Sequence, residues 1–230
     1  MSRTPGQKAA NALKAIGGRF RASLRHPAKG SESADEESVP PLQEKILARL
    51  VYCQFDKKDF LPQSSLDELI TTESIEEELR SAGLAMLSAD IFKNARKVFT
   101  VLVYIGMVGA MESLHGEGFA DEYLPVELVS KRDGYTMVSR QNSRRSEKIF
   151  RSFNRDPWNS MKRKAFLDYQ WLVQSPVFES GQHYSLDTHC ILPFISDARQ
   201  IARSYFSKVF EVQVHPAHQH VFRTPRVSMV

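Results

Sequence analysis

Three histidines crowd one short stretch near the end of the chain: His215, His218 and His220 stand three and two residues apart. Imidazoles at that spacing could meet at a turn, and zinc is the ion they would hold. A structural zinc site takes four ligands, however, and a catalytic one takes three plus an open position. No cysteine lies nearby, and Pro216 already accounts for a turn, so the residues assign no metal here. His189 and Cys190 are the minimal pair for a thiolate nucleophile, with Cys53 the other thiol in the chain. Adjacent side chains on an extended segment point to opposite faces, so this histidine does not activate its neighbour. The Gly-x-Ser-x-Gly and His-Glu-x-x-His patterns are absent. No catalytic residue is assigned.

Two serines carry a different chemistry. Arg140 stands three residues before Ser143, and Arg144-Arg145 directly precede Ser146. Both patterns suit basophilic phosphorylation, and a phosphate there would sit among guanidinium groups able to pair with it. The same cations could dock RNA or lipid, but no stacking aromatics are interleaved with them. Glu76-Glu77-Glu78 has two readings as well, a site for a metal or basic partner and a solvated helix start favoured by the macrodipole.

The elements that position these groups follow from periodicity. Leu42, Ile46, Leu47, Leu50, Val51 and Cys53 predict a helix over residues 42–55, with Pro41 in its permitted first turn. Ser65 with Glu68, and Ser74 with Glu77, have capping-box spacing and announce short helices over 66–70 and 75–81. Apolar residues from Ile91 to Ile105 predict one long, widely buried helix over 89–107. Residues 130–148 are polar and basic and read as a linker. A further helix is expected over 161–173, with Ala165, Phe166 and Tyr169 inward and Trp158 and Trp171 joining that face. Val212 and Val214 alternate with Glu211 and Gln213, and Phe210 extends the apolar side, so the last element is a strand with one buried face, preceded by a tight turn.

The expected organisation is a basic then acidic tail over residues 1–41, a helical domain over 42–128, and a basic linker over 129–148. A helix with an extended connector over 149–190, a β-hairpin region over 191–220 and a tail over 221–230 complete it. The fold class is mostly α, with a small antiparallel hairpin over 201–214. Such a hairpin is marginal alone and must lean on the helices. Composition supports a packed chain: 42% of the 230 residues are hydrophobic, enough to build a core. The net charge of +4 does not demand nucleic acid. Two widely separated cysteines suit reduced thiols in a cytoplasmic or nuclear protein.

The most apolar run, residues 98–111, is about fourteen residues against the roughly twenty of a membrane span. The segment up to Lys29 has no acidic residue and carries Leu13, Ile16, Phe20 and Leu24 as a narrow apolar stripe. It reads as a basic tail, as a segment resting on an anionic membrane surface, or as a mitochondrial targeting peptide.

A series of short segments gives the chain a family likeness. Phe60-Leu61-Pro62, Leu66-Asp67-Glu68-Leu69-Ile70-Thr71 and Ala95-Arg96-Lys97-Val98-Phe99 come first. Tyr169-Gln170-Trp171, Ser175-Pro176-Val177-Phe178 and Ile191-Leu192-Pro193-Phe194 come next, then Phe206-Ser207-Lys208-Val209-Phe210 and Val214-His215-Pro216-Ala217-His218. In this order and spacing, over about residues 40–220, the chain resembles the N-terminal part of serine/threonine protein kinase-like proteins of filamentous fungi. The resemblance implies that the hairpin is the start of a kinase N-terminal lobe, with Phe206 and Val209 at the tip aromatic and the valine of the glycine-rich loop. It also implies that the His-Pro-x-His run is a loop element following the second strand.

Ala202, Ser204 and Ser207 then occupy the three glycine positions, where a Cβ obstructs the approach of backbone N–H groups to phosphate oxygens. Phosphoryl transfer further needs a strand lysine, a base aspartate, and an aspartate and asparagine for magnesium. The last such residues here are Lys208, Asp197 and Asn159. The expected function is therefore a non-catalytic interaction or regulatory module whose partner is a protein and which needs no cofactor. The alternative is the N-terminal piece of an ATP- and magnesium-dependent kinase whose catalytic part lies elsewhere.

Overall fold

The computed structural model describes residues 41–131, 134–140, 147–206, 208–220 and 226–229. The expected tail over 1–40, Ser143 and Ser146 of the connector, and Ser207 lie outside the described residues.

The chain begins with α1 (Leu42–Ala48), where Leu42 and Ile46 are buried. The predicted helix ends there, short of residue 55. Val51, Tyr52 and Cys53 form strand β1 (Val51–Cys53), paired antiparallel with β2 (Lys58–Phe60) so that Val51 faces Phe60. The β-branched and aromatic residues after Leu50 suit a strand better than a helix. Helix α2 (Gln63–Leu69) starts after Pro62, and α3 (Thr72–Arg80) is closed at its start by reciprocal bonds between Thr71 and Ser74. Both expected helices are present, but each starts three residues before the position its capping spacing gives, and neither uses the predicted box.

The long helix expected over 89–107 is two helices, α4 (Ser88–Asn94) and α5 (Arg96–Tyr104). The break at Ala95 has a remote cause. The Asp121 carboxylate accepts from the Lys97 and Val98 N–H groups, each at 2.9 Å, and so caps a helix that its own preceding residue cannot cap. All of the residues from Val98 to Tyr104 are buried, which makes α5 the central helix, as its apolar width predicts.

After α6 (Met111–Gly116), Gly118 adopts φ +71°. Its N–H reaches the His115 carbonyl and the next N–H reaches that of Leu114, a left-handed helix stop that turns Phe119 into the core. There Phe119 meets Phe150 at 4.6 Å and Phe153 at 5.4 Å between ring centroids, with Phe166 and Tyr123 beyond.

The stretch read as a basic linker carries strands. β3 (Val126–Lys131) pairs antiparallel with β4 (Gly134–Ser139), which pairs with β5 (Ile149–Phe150). Val126, Met137, Val138 and Phe150 are buried, and the arginines and lysines around them obscure these apolar strand positions in the sequence. Gln170 locks this sheet to the helical segment that carries it: its buried side-chain amide accepts from the Val126 N–H at 2.8 Å and donates to the Val126 carbonyl at 2.9 Å. Helix α7 (Ser160–Tyr169) tightens into a 3₁₀ turn over Gln170–Val173, shorter than the helix expected over 161–173.

The last sheet is β6 (Arg199–Arg203), β7 (Lys208–Gln213) and β8 (Arg226–Met229), antiparallel in that order. The hairpin is thus not a lone pair, because part of the expected tail supplies a third strand. Among the described residues there are seven α-helices and three small antiparallel sheets, so the fold is mixed α/β rather than mostly α. No helix there is long and apolar enough to cross a membrane.

Candidate functional site

The groups singled out by the sequence converge on a second, smaller core. Cys53 and Phe60 of the β1–β2 hairpin, Trp171, Ile191, Phe194, Val212 and Val214 pack together, with Cys190 and Phe210 at its margin. The apolar face predicted for β7 is the one that is buried. The strand is anchored at its end, where Ile195 N–H donates to the Gln213 carbonyl and His215 N–H to that of Pro193.

His218 is the pin of this unit. Only 2% exposed, it lies edge-on to the Phe60 ring and touches two distant segments through its two nitrogens. Nε2 accepts from the Gln63 N–H at 3.0 Å, and Nδ1 donates to the Pro176 carbonyl at 2.9 Å. One ring nitrogen accepts and the other donates, which is the hydrogen-bonding capacity of the neutral imidazole. Burial pushes its pKa down to about 4. His215 is also edge-on to Phe60 and has its pKa lowered by burial, while its Nδ1 accepts from Ala217 N–H at 3.2 Å. His220 is exposed. Two of the three imidazoles are therefore spent on holding the loop, and among the described residues no group of three or more His, Cys, Asp or Glu side chains is placed to hold a metal.

The thiols are likewise structural. The Cys190 Sγ donates to the Gln174 carbonyl at 3.5 Å, and His189 turns away to stack on Trp171 and bond Asp187. Burial, with the Asp56 charge adding to it, pushes the Cys190 thiol up to about 11; burial raises Cys53 as well. The thiolate is the reactive form, so at about pH 8 Cys190 should alkylate at least tenfold more slowly in the native protein than in urea, and the buried Cys53 should be slowed as well. Timed iodoacetamide labelling read by mass spectrometry checks this, and rapid native labelling of Cys190 would contradict it.

Of the glycine-loop positions, Ala202 lies in β6 opposite Val209 of β7, with a register shift between Gln200 and Ala202. Ala202, Ser204 and Phe206 are exposed, and Val209 is half-buried. The turn presents Tyr205 and Phe206 at 95% and 94% exposure, their rings edge-on to each other at 4.9 Å. Arg140 is held by Glu127 and Asp187, so one of the arginines expected to receive a phosphate at Ser143 already has carboxylate partners.

One feature had no signal in the sequence. A cleft of about 470 Å³ opens between α4, α6 and the segment around Asp121, and it is lined by Asp90, Lys93, His115, Asp121 and Glu122 among others. His115 Nε2 lies 2.6 Å from Asp90 Oδ2, a contact that holds the Asp90 carboxyl below the usual range. Burial pushes the Asp121 carboxyl up, against the pull of the two N–H groups it caps. These side chains come from segments that periodicity treats separately, and Asp121 is occupied as a helix cap.

No family model, curated protein or solved structure matches the chain.

Proposed function

We propose that the chain is a non-catalytic interaction module, similar to the N-terminal region of fungal serine/threonine protein kinase-like proteins. The observation that carries this reading is the β6–β7 hairpin, fastened at its base to the small core and exposed at its tip. Ala202 and Ser204 stand there at positions where a phosphate-cradling loop needs glycine. The helices and the β3–β4–β5 sheet pack around the larger core, and the hairpin stands on the smaller one. The two free thiols among the described residues support a reducing compartment, cytoplasmic or nuclear.

Differential scanning fluorimetry with Mg-ATP tests it. A ligand that binds only the native state stabilises it in proportion to the logarithm of its saturation, so sub-millimolar nucleotide is expected to leave the melting temperature unchanged. A concentration-dependent rise would overturn the reading.

One observation favours the second reading, a piece of an ATP-dependent kinase. β8 continues the sheet antiparallel beyond β7, as an N-terminal lobe does after its first hairpin, although its residues, Arg226–Met229, do not include the strand lysine. Sequencing the transcript past the codon for Val230 decides between them. An in-frame strand with Ala-x-Lys, followed by His-x-Asp and Asp-Phe-Gly, would establish the kinase.

A further inference from the structure

The tip of the β6–β7 hairpin combines two features that each cost the free protein something. Tyr205 and Phe206 lie side by side almost wholly in water, at 95% and 94% exposure. Just below them Arg203 and Lys208 are direct cross-strand partners, a like-charge pair that destabilises a hairpin. Neither cation forms an ion pair among the described residues, whereas Arg199 further down is neutralised by Glu211. From Gln200 to Phe210 the sequence has no acidic residue. Every residue from Arg199 to Phe206 is exposed.

We propose that this tip is a membrane-contacting device, which enters the headgroup layer of an anionic bilayer with Tyr205 and Phe206 and holds lipid phosphates or carboxylates with Arg203 and Lys208. The inference is independent of any kinase relationship. An apolar point with a cationic collar matches a surface that is apolar inside and negative at its face. Aromatic side chains are at home in the interfacial zone, and each basic residue near an anionic leaflet adds to the attraction. Size argues against a protein partner. Two aromatic side chains offer on the order of 400 Å², about half of the roughly 800 Å² that each partner contributes to a stable interface.

The test uses the full chain and vesicles of phosphatidylcholine, alone or mixed with phosphatidylserine. Wild type is expected to co-sediment with the mixed vesicles and not with phosphatidylcholine alone, the more so at low salt. The Tyr205→Ser/Phe206→Ser variant should bind the mixed vesicles at least tenfold more weakly. Arg203→Gln/Lys208→Gln should lose about fivefold for each charge removed. All four side chains are exposed, so neither variant should melt below wild type, and Arg203→Gln/Lys208→Gln, which removes the like-charge pair, should melt at or slightly above it.

The basic segment before Lys29 can attract the same lipids, so insertion needs its own readout. Phe206→Trp should shift its emission to the blue and be quenched by brominated lipid in mixed vesicles. Three results would each overturn the proposal. The first is unchanged binding by the serine variant, and the second is an unquenched signal from the introduced indole on vesicle-bound Phe206→Trp protein. The third is a self-association without lipid that the serine variant abolishes, which would give the tip to a second copy of the chain.

Discussion

Phe119→Ala is expected to cost about 4 kcal/mol, the middle of the range for truncating a buried aromatic. Phe119 is 2% exposed and touches rings carried by four different segments: Tyr123, Phe150 on β5, Phe153 and Phe166 on α7. Each neighbour is fixed by its own element, so the space left by the ring cannot collapse, and the edge-on contacts at 4.6 and 5.4 Å are lost outright. A loss of that size is a large share of the roughly 5–15 kcal/mol that holds a domain together. The melting temperature should fall by about 10 °C, and the urea midpoint should fall with it. Phe119→Leu, which fills most of the volume, should cost less than half as much. A Phe119→Ala protein within about 1 kcal/mol of wild type would show that this cluster is not the centre of the larger core.

The sequence discloses elements whose cause is local and hides those whose cause is remote. β7 is legible because Val212 and Val214 declare a buried face through their own alternation. Helix α5 is legible in its width for the same reason. The break before it is not, since the cap is Asp121, 23 and 24 positions away from the N–H groups it satisfies. β4 is masked by the composition around it: over residues 130–148 six lysines and arginines outnumber Tyr135, Met137 and Val138, so charge speaks for a linker while Gln170 supplies the partner that makes the edge stable.

At the hairpin, the turn itself is legible, but nothing in the neighbouring residues announces that Tyr205 stands out beside Phe206. The histidines show the same limit most sharply. Spacing suggests ligands or a turn, but the partners of His218 lie 155 and 42 positions away, at Gln63 and Pro176.

That placement of His218 makes the fold sensitive to acid. In the native state its Nε2 must accept from the Gln63 N–H, so protonation sets two donors against each other in a site with almost no water. Its pKa is about 4 when folded, against an ordinary value of 6.5. As pH falls through that interval the unfolded chain takes up the proton first and the native state resists it. The contribution of His218 is therefore complete above about pH 6.5, fades as pH falls towards about 4, and changes no further below that.

Converted at about 1.4 kcal/mol per pH unit, the whole effect is on the order of 3 kcal/mol, of which about 2 should be lost between neutral pH and about pH 5. His215, its own pKa lowered by burial, adds to the same trend. His218→Gln isolates the effect, because its amide can donate to Pro176 and accept from Gln63 without titrating. Urea unfolding at the two pH values should show the variant less stable than wild type at neutral pH and losing less than half as much on acidification. Parallel losses in the two proteins would mean that His218 is not the acid-sensitive pin of the small core, and that the hairpin base is held by its strand contacts alone.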